Sequence, residues 1–123
     1  MGKQQRFRRV AEEIKKEVSD ILRTELKDPR IVKMTSVTDV ETTRDISYAK
    51  IFVSIYGDKE EQETILKVLN KAAGFIRSEI GKRIRIRHTP EIEFLLDRSM
   101  EYGAHIESVL KELEPERGAE NPE

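Results

Sequence analysis

The stretch Ile65 to Ile84, ILKVLNKAAGFIRSEIGKRI, decides the fold. Ile65, Leu66, Val68, Leu69, Ala72 and Ala73 recur at helical spacing, and Ile76, Ile80 and Ile84 carry the rhythm onward in four-residue steps. Gly74 sits inside this pattern, yet no loop composition separates the two halves. A glycine within an unbroken apolar period predicts a kink or a very tight helix–helix junction. Two helices joined without a loop, near the middle of the chain, need a common surface to bury their stripes.

Upstream, the chain supplies that surface. Ser47 to Tyr56 alternates, with Ala49, Ile51, Val53 and Ile55 on one side and Tyr48, Lys50, Phe52, Ser54 and Tyr56 on the other. Ile31 to Glu41 is rich in valine and threonine and predicts a preceding strand. Its alternation is imperfect, with Met34, Ser36, Thr38 and Val40 expected on one face. Thr42-Thr43-Arg44-Asp45 is the connection, short enough for an antiparallel hairpin, although no Asn-Gly pair fixes its turn type. Gly57-Asp58 closes the hairpin, and Asp58 is a plausible N-cap for a helix starting near Lys59, with Glu60 and Glu61 at its positive end. Before the strands, Phe7, Val10, Ile14, Val18, Ile21 and Leu22 form one apolar stripe of a helix from about Gln4 to Leu26, ended by Asp28-Pro29.

Downstream, Arg85 to Thr89 is a basic connection. Pro90 to Asp97 predicts a third strand with Ile92, Phe94 and Leu96 facing the core. Arg98 to Leu113 carries Ile106, Val109, Leu110 and Leu113, a short amphipathic C-terminal helix. Residues 114–123 hold proline, glycine and glutamate without a large apolar residue and predict a disordered acidic tail. The reading is one α+β domain over 1–113, helices on one face of a small three-stranded sheet, in the order α-β-β-α-(kink)-α-β plus the C-terminal helix.

The 123 residues support one modest core, with 37% hydrophobic and 38% charged residues. The absence of cysteine excludes disulfides and thiol chemistry. No apolar run reaches membrane-spanning length, and the charged start Met1 to Val10 lacks the apolar stretch of a secretory signal. These features predict a soluble, cytoplasmic protein.

The net charge of −1 conceals a segregated pattern. Lys3, Arg6, Arg8 and Arg9 open the chain without an acid, and Lys15 and Lys16 follow outside the apolar stripe. Lys71, Arg77, Lys82, Arg83, Arg85 and Arg87 cluster against Glu79 alone. Such segregation makes a basic face on a near-neutral protein, although charges that merely solvate helices would look similar locally.

Catalytic patterns fail one by one. His88 and His105 lack partners at metal-ligand spacing. Gly81-Lys82 has no glycine-rich run before it, and Arg83 stands where a magnesium-binding hydroxyl would be needed. No Gly-x-Ser-x-Gly elbow occurs. Glu91, Glu93 and Asp97 are better read as the solvated side of a strand than as an acid cluster. No metal, cofactor or small-molecule substrate is expected.

RNA suits the pattern better. Arginine predominates from Arg77 to Arg87, which favours bidentate phosphate contact and stacking on bases. Arg6, Arg8, Arg9, Lys15, Lys16, Arg77, Lys82, Arg83, Arg85 and Arg87 are the candidate RNA contacts, with His88 beside them. His88 is otherwise an exposed loop histidine, and His105 a helix-surface residue. The Gly-x-x-Gly loop of a standard K-homology domain is absent. At Ala72-Ala73-Gly74 the small residues serve either close helix crossing or close RNA approach.

Over roughly residues 4 to 110 the chain resembles the bacterial ribosome-binding factor A family. The resemblance is carried by Arg6-Phe7-Arg8-Arg9-Val10, Leu26-Lys27-Asp28-Pro29-Arg30 and Ala49-Lys50-Ile51-Phe52-Val53-Ser54. Ala72-Ala73-Gly74-Phe75-Ile76-Arg77 and Arg85-Ile86-Arg87-His88-Thr89-Pro90-Glu91-Ile92-Glu93-Phe94 carry it furthest, with Asp97-Arg98-Ser99 and Gly103 to Ile106 closing the series. It implies a type II K-homology fold in which an Ala-x-Gly kink, here Ala72 and Gly74, replaces Gly-x-x-Gly. It also implies a non-enzymatic assembly factor, monomeric off the ribosome. Such a factor binds the small (30S) subunit and its 16S RNA and assists late maturation near the 5′ end, with a link to cold adaptation. The competing readings are a protein–protein adaptor without RNA contact and a small hydrolase or nuclease.

Overall fold

The computed structural model describes residues 2–99. Its elements are α1 (Gly2–Thr24), α2 (Pro29–Met34), β1 (Thr35–Thr42), β2 (Tyr48–Ile55), α3 (Lys59–Lys71), α4 (Ala73–Arg83) and β3 (Glu91–Leu96). The strands form one sheet in the order β1-β2-β3, with β2 antiparallel to β1 and parallel to β3. Helices α1, α3 and α4 pack together over the sheet. Apart from the short α2, this is the expected α-β-β-α-α-β order, a K-homology-like topology. The expected C-terminal helix, beyond Ser99, and the acidic tail lie outside the described residues.

The core fills the gap between the two layers. Val10, Ile14, Val18 and Ile21 of α1 meet Ala49, Ile51, Val53 and Ile55 of β2, Ile65 and Leu69 of α3, and Ile76 and Ile80 of α4. Phe94 is the largest fully buried side chain and sits opposite Ile51 in the parallel pairing. Among the described residues no polar or charged residue is fully buried, so the core is held by apolar burial.

Two details depart from the sequence reading. Residues Pro29–Met34 form a helix where a strand from Ile31 was expected. Asp28 starts this helix as well as following α1. Its carboxylate accepts the Arg30 N–H at 2.9 Å, Pro29 occupies the first turn, and Ile31 is buried. The face expected to hold Met34, Ser36, Thr38 and Val40 together is also not formed. A bulge between Val37 and Asp39 shifts the register, so Val37 pairs with Val53 before it and Val40 with Ile51 after it. The inward set changes parity at the bulge, which leaves Ser36 exposed and explains the imperfect alternation. The bulged Thr38 donates its hydroxyl to Asp97 at 2.5 Å, tying β1 to the end of β3 across β2.

Asp58 caps α3 as expected, and Glu61 completes the exchange. Glu61 N–H donates to Asp58 at 2.8 Å, and Asp58 N–H donates to the Glu61 carboxylate at 2.9 Å. Beyond α3, one residue separates the helices. Ala72 lies at φ −86°, ψ 3°, ends α3 by bonding back to Val68 and Leu69 carbonyls, and offers its own carbonyl to Ile76 N–H at 2.9 Å. The apolar rhythm therefore runs through the junction unbroken.

Candidate nucleic-acid interface

Ala72 is the one residue between α3 and α4, and Gly74 lies inside α4 in open surroundings. Gly74 is exposed, and a Cβ added there would meet no neighbouring group within 4 Å. The close approach belongs to Gly81, where a Cβ would lie 2.8 Å from Thr89 Oγ1. Gly81 thus lets α4 pass tightly beside the connection to β3. Gly74, Ser78 and Gly81 fall along one side of α4, bordered by Arg77, Arg87, His88 and Thr89, in a shallow open hollow.

On the other side of Arg87 and His88 lies a second concavity of about 380 Å³. Arg6 from the start of α1, Arg44 from the β1–β2 loop, and Arg87 with His88 from the α4–β3 connection surround it, and Ile46 and Ile86 are its apolar lining. Both basic segments seen in the sequence converge here, although about 80 residues separate Arg6 from Arg87. Thr42 Oγ1 helps set the angle by donating to Phe7 carbonyl at 3.2 Å, which holds the β1 end against α1.

Arg44 is the contributor that sequence reasoning missed. It stands alone between two strands, without the local charge density that marked the other arginines. Its loop is rigid. Asp45 Oδ1 accepts from Thr43 Oγ1 at 2.7 Å, Ser47 Oγ at 2.8 Å and Ser47 N–H at 3.2 Å. The Thr43 and Ser47 hydrogen bonds hold the Asp45 carboxyl below its ordinary value of 3.8. Ile46 follows at φ 58°, a left-handed conformation that costs a β-branched residue about 1–2 kcal/mol. Its N–H donates to Thr43 carbonyl at 2.9 Å and its side chain packs against the core, which together hold it there. Strain of this kind in a rigid loop is often retained at binding sites.

The other candidates divide sharply. Arg77 donates to the backbone carbonyls of Pro90 at 3.0 Å and Thr89 at 2.8 Å and lies 3.6 Å from Glu91. Arg83 sits among Glu17, Asp20, Glu25 and Glu79, with Asp20 nearest at 2.7 Å. It joins α4 to α1, and its hydrogen bond is the main cause holding Asp20 below the ordinary aspartate value. Lys82 is exposed and reaches Glu79 at 3.4 Å. Arg8 lies 5.8 Å from the Phe7 ring centroid, a cation–π contact. Lys15 and Lys16 border a separate hollow with Glu12, Glu17 and Asp20, a surface of mixed sign. Arg9 and Arg85 are exposed. Arg6, Arg44 and Arg87 make no hydrogen bond or ion pair among the described residues.

The carboxylates suspected of forming an acid cluster are separately engaged. Glu91 faces Arg77, Glu93 accepts the Tyr48 hydroxyl, and Asp97 accepts from Thr38 and Ser99. Among the described residues no group of three or more His, Cys, Asp or Glu is placed to hold a metal ion, and no helix is long and apolar enough to cross a membrane.

The family model for ribosome-binding factor A matches residues 6–110. This chain belongs to the ribosome-binding factor A family. It is 53% identical over 118 residues to ribosome-binding factor A of Caldanaerobacter subterraneus subsp. tengcongensis, covering 96% of this chain and 97% of that one. Among solved structures, a ribosome binding factor A from Thermotoga maritima superposes with a TM-score of 0.67 at 36% identity, over 76% of this chain and 89% of that one. A homology model of Thermus thermophilus ribosome binding factor A, fitted into a 30S complex map, gives a TM-score of 0.60 at 25% identity, over 72% of this chain and 91% of that one. The matched family residues include Arg6, Arg44 and Arg87, so the concavity lies wholly within the family's extent.

Proposed function

We propose that this chain is a non-enzymatic maturation factor of the small ribosomal subunit that binds 16S RNA through the face carrying Arg6, Arg44 and Arg87. It assists late processing near the 5′ end of that RNA. Family membership supports the ribosomal role, and the Thermus thermophilus relative was fitted into a 30S complex. The observation that carries the choice of face is that these three guanidinium groups converge without internal partners. Phosphates are the natural counter-charge for such donors.

In this reading the RNA backbone passes along the open side of α4, where exposed Gly74 lets it approach closely. Arg85 and Lys82 lie beyond that hollow, and Arg8, Arg9, Lys15 and Lys16 extend the contact along α1. Arg77 and Arg83 act mainly from within, holding the α4–β3 connection and the α1–α4 contact in the shape that presents the others. One K-homology-like domain over 1–113 does the binding as a cytoplasmic monomer off the ribosome, and residues 114–123 form an acidic tail.

The test is co-sedimentation with 30S subunits across a salt series. Affinity falls steeply with salt if phosphates are contacted, and the slope drops by about one for each arginine removed. Binding that is insensitive to salt favours the adaptor reading instead.

A further inference from the structure

We infer that the concavity between Arg6, Arg44 and Arg87 takes a single unstacked nucleotide of the RNA, its base against Ile46 and Ile86 and its phosphates on the guanidinium groups. The inference rests on the RNA-binding reading above and goes beyond it, because backbone contact alone needs no pocket.

The arrangement is unlike a plain phosphate track. About 380 Å³ is within the roughly 300–1,000 Å³ typical of small-ligand clefts. A duplex backbone would need only a flat basic surface, whereas this hollow is lined with two aliphatic side chains. Ile86 and Ile46 both pack partly against the core and so give a firm apolar surface rather than a yielding one. Ile46 is held at φ 58°, a conformation that the Thr43–Ser47 hydrogen bonds keep in place. The loop is built to keep that side chain and Arg44 in fixed relative positions.

Asp45 adds a direction. Asp45 also borders the hollow, and its negative charge would oppose a phosphate placed beside it. Oδ1 is occupied by Thr43 and Ser47, while Oδ2 accepts from no other residue among the described residues. An acceptor fixed in this way suits the exocyclic amine of adenine or cytosine and the N1–H and N2 amine of guanine, whereas uracil offers only N3–H between two carbonyl oxygens that a carboxylate repels. The phosphate end is then directed to the three arginines and the base end to Asp45 and the isoleucines.

The experiment uses the full chain and fluorescence anisotropy with three hairpin RNAs: fully paired, with one bulged adenosine, and with one bulged uridine. The expected result is about tenfold tighter binding to the adenosine bulge than to the paired hairpin, with the uridine bulge between them. Arg44→Ala weakens binding to all three hairpins through the lost phosphate contact, but weakens the bulged hairpins more, so the bulge preference falls from about tenfold to near unity. Arg87→Ala gives a second variant with the same expectation. Equal binding of wild type to paired and bulged hairpins overturns the nucleotide pocket while leaving RNA binding intact. No binding to any hairpin overturns both readings. A preference that survives both substitutions also overturns this location. In a parallel arm, AMP is titrated and the Ile46 and Ile86 methyl resonances are followed. Saturable AMP binding without any bulge preference assigns the hollow to a free nucleotide and overturns the RNA assignment.

Discussion

Arg83 and Arg87 are four residues apart and chemically identical, yet their surroundings give them opposite tasks. The Arg83 side chain is only 22% exposed and is surrounded by carboxylates from α1, from Glu25 just past it and from its own helix. Arg87 lies past the end of α4, exposed, beside Arg6 and Arg44 and in no ion pair among the described residues. A guanidinium that already donates to carboxylates gains little from a phosphate, because an old hydrogen bond must break for each new one. One without partners exchanges only water. The basic segment from Arg77 to Arg87 therefore contains two populations, one that maintains the fold and one that faces outward.

The sharpest way to break this division is to remove the outward set. Arg6, Arg44 and Arg87 changed together to alanine should weaken association with 30S subunits by about 10²–10³-fold at low salt and reduce the salt slope by about three. Thermal unfolding should scarcely move, since no internal bond is lost. Co-sedimentation and a melting curve on the same preparation check both halves. A variant that melts early but binds normally would reverse the assignment.

Removing an inward residue should do the opposite. Arg77→Ala leaves the carbonyls of Thr89 and Pro90 without their donor and should cost about 1–2 kcal/mol, discounted because the side chain is partly open to water. Urea unfolding measures the loss. RNA affinity of the folded variant should stay within about threefold, apart from any shift of Arg87 on the loosened connection.

Arg83 sharpens the comparison through pH. Its hydrogen bond is the first cause of the lowered Asp20 value, against a smaller opposing desolvation. A carboxyl held below its ordinary value stabilises the fold above that value and loses the contribution as pH falls through the folded one. The wild-type protein should therefore lose stability as pH drops below about 3.8, the ordinary aspartate value. Arg83→Ala should make that acid limb shallower without abolishing it, since Asp28, Asp45 and Asp97 are held low by other partners, and should leave the RNA salt slope unchanged. Melting temperatures from pH 6 to roughly pH 2.5 test it. An unaltered acid limb would remove Arg83 from the inward set.

The sequence carried most of the fold because its signals were periodic. The α1 stripe, the β2 alternation and the four-residue isoleucine steps of α4 each repeat often enough to outweigh one exception. The short α2 had fewer than two turns in which to show itself, and its capping Asp28-Pro29 reads equally well as the end of α1. The β1 bulge broke the very alternation by which a strand is recognised. The site was half legible for a related reason. Charge density marks where arginines are numerous, but only the tertiary partners distinguish Arg83 from Arg87. Arg44, isolated in a loop, had no density to mark it at all.

The smallest effect separates the two glycines of α4 in the same terms. Gly81 is tied inward, since an added Cβ would lie 2.8 Å from Thr89 Oγ1, next to the carbonyl that Arg77 holds. Gly74 faces outward into open space in ordinary helical geometry. Gly74→Ala should therefore stabilise the protein by about 0.4–1 kcal/mol, chiefly by restricting the unfolded chain. Gly81→Ala should gain less, or lose, because the Thr89 hydroxyl must move. If an RNA backbone passes over α4 at Gly74, the more stable variant binds 30S subunits less well, because the methyl group fills the space the phosphodiester needs. Stability and binding would then change in opposite directions at one residue, a result that neither a packing role nor a purely electrostatic contact for this helix produces.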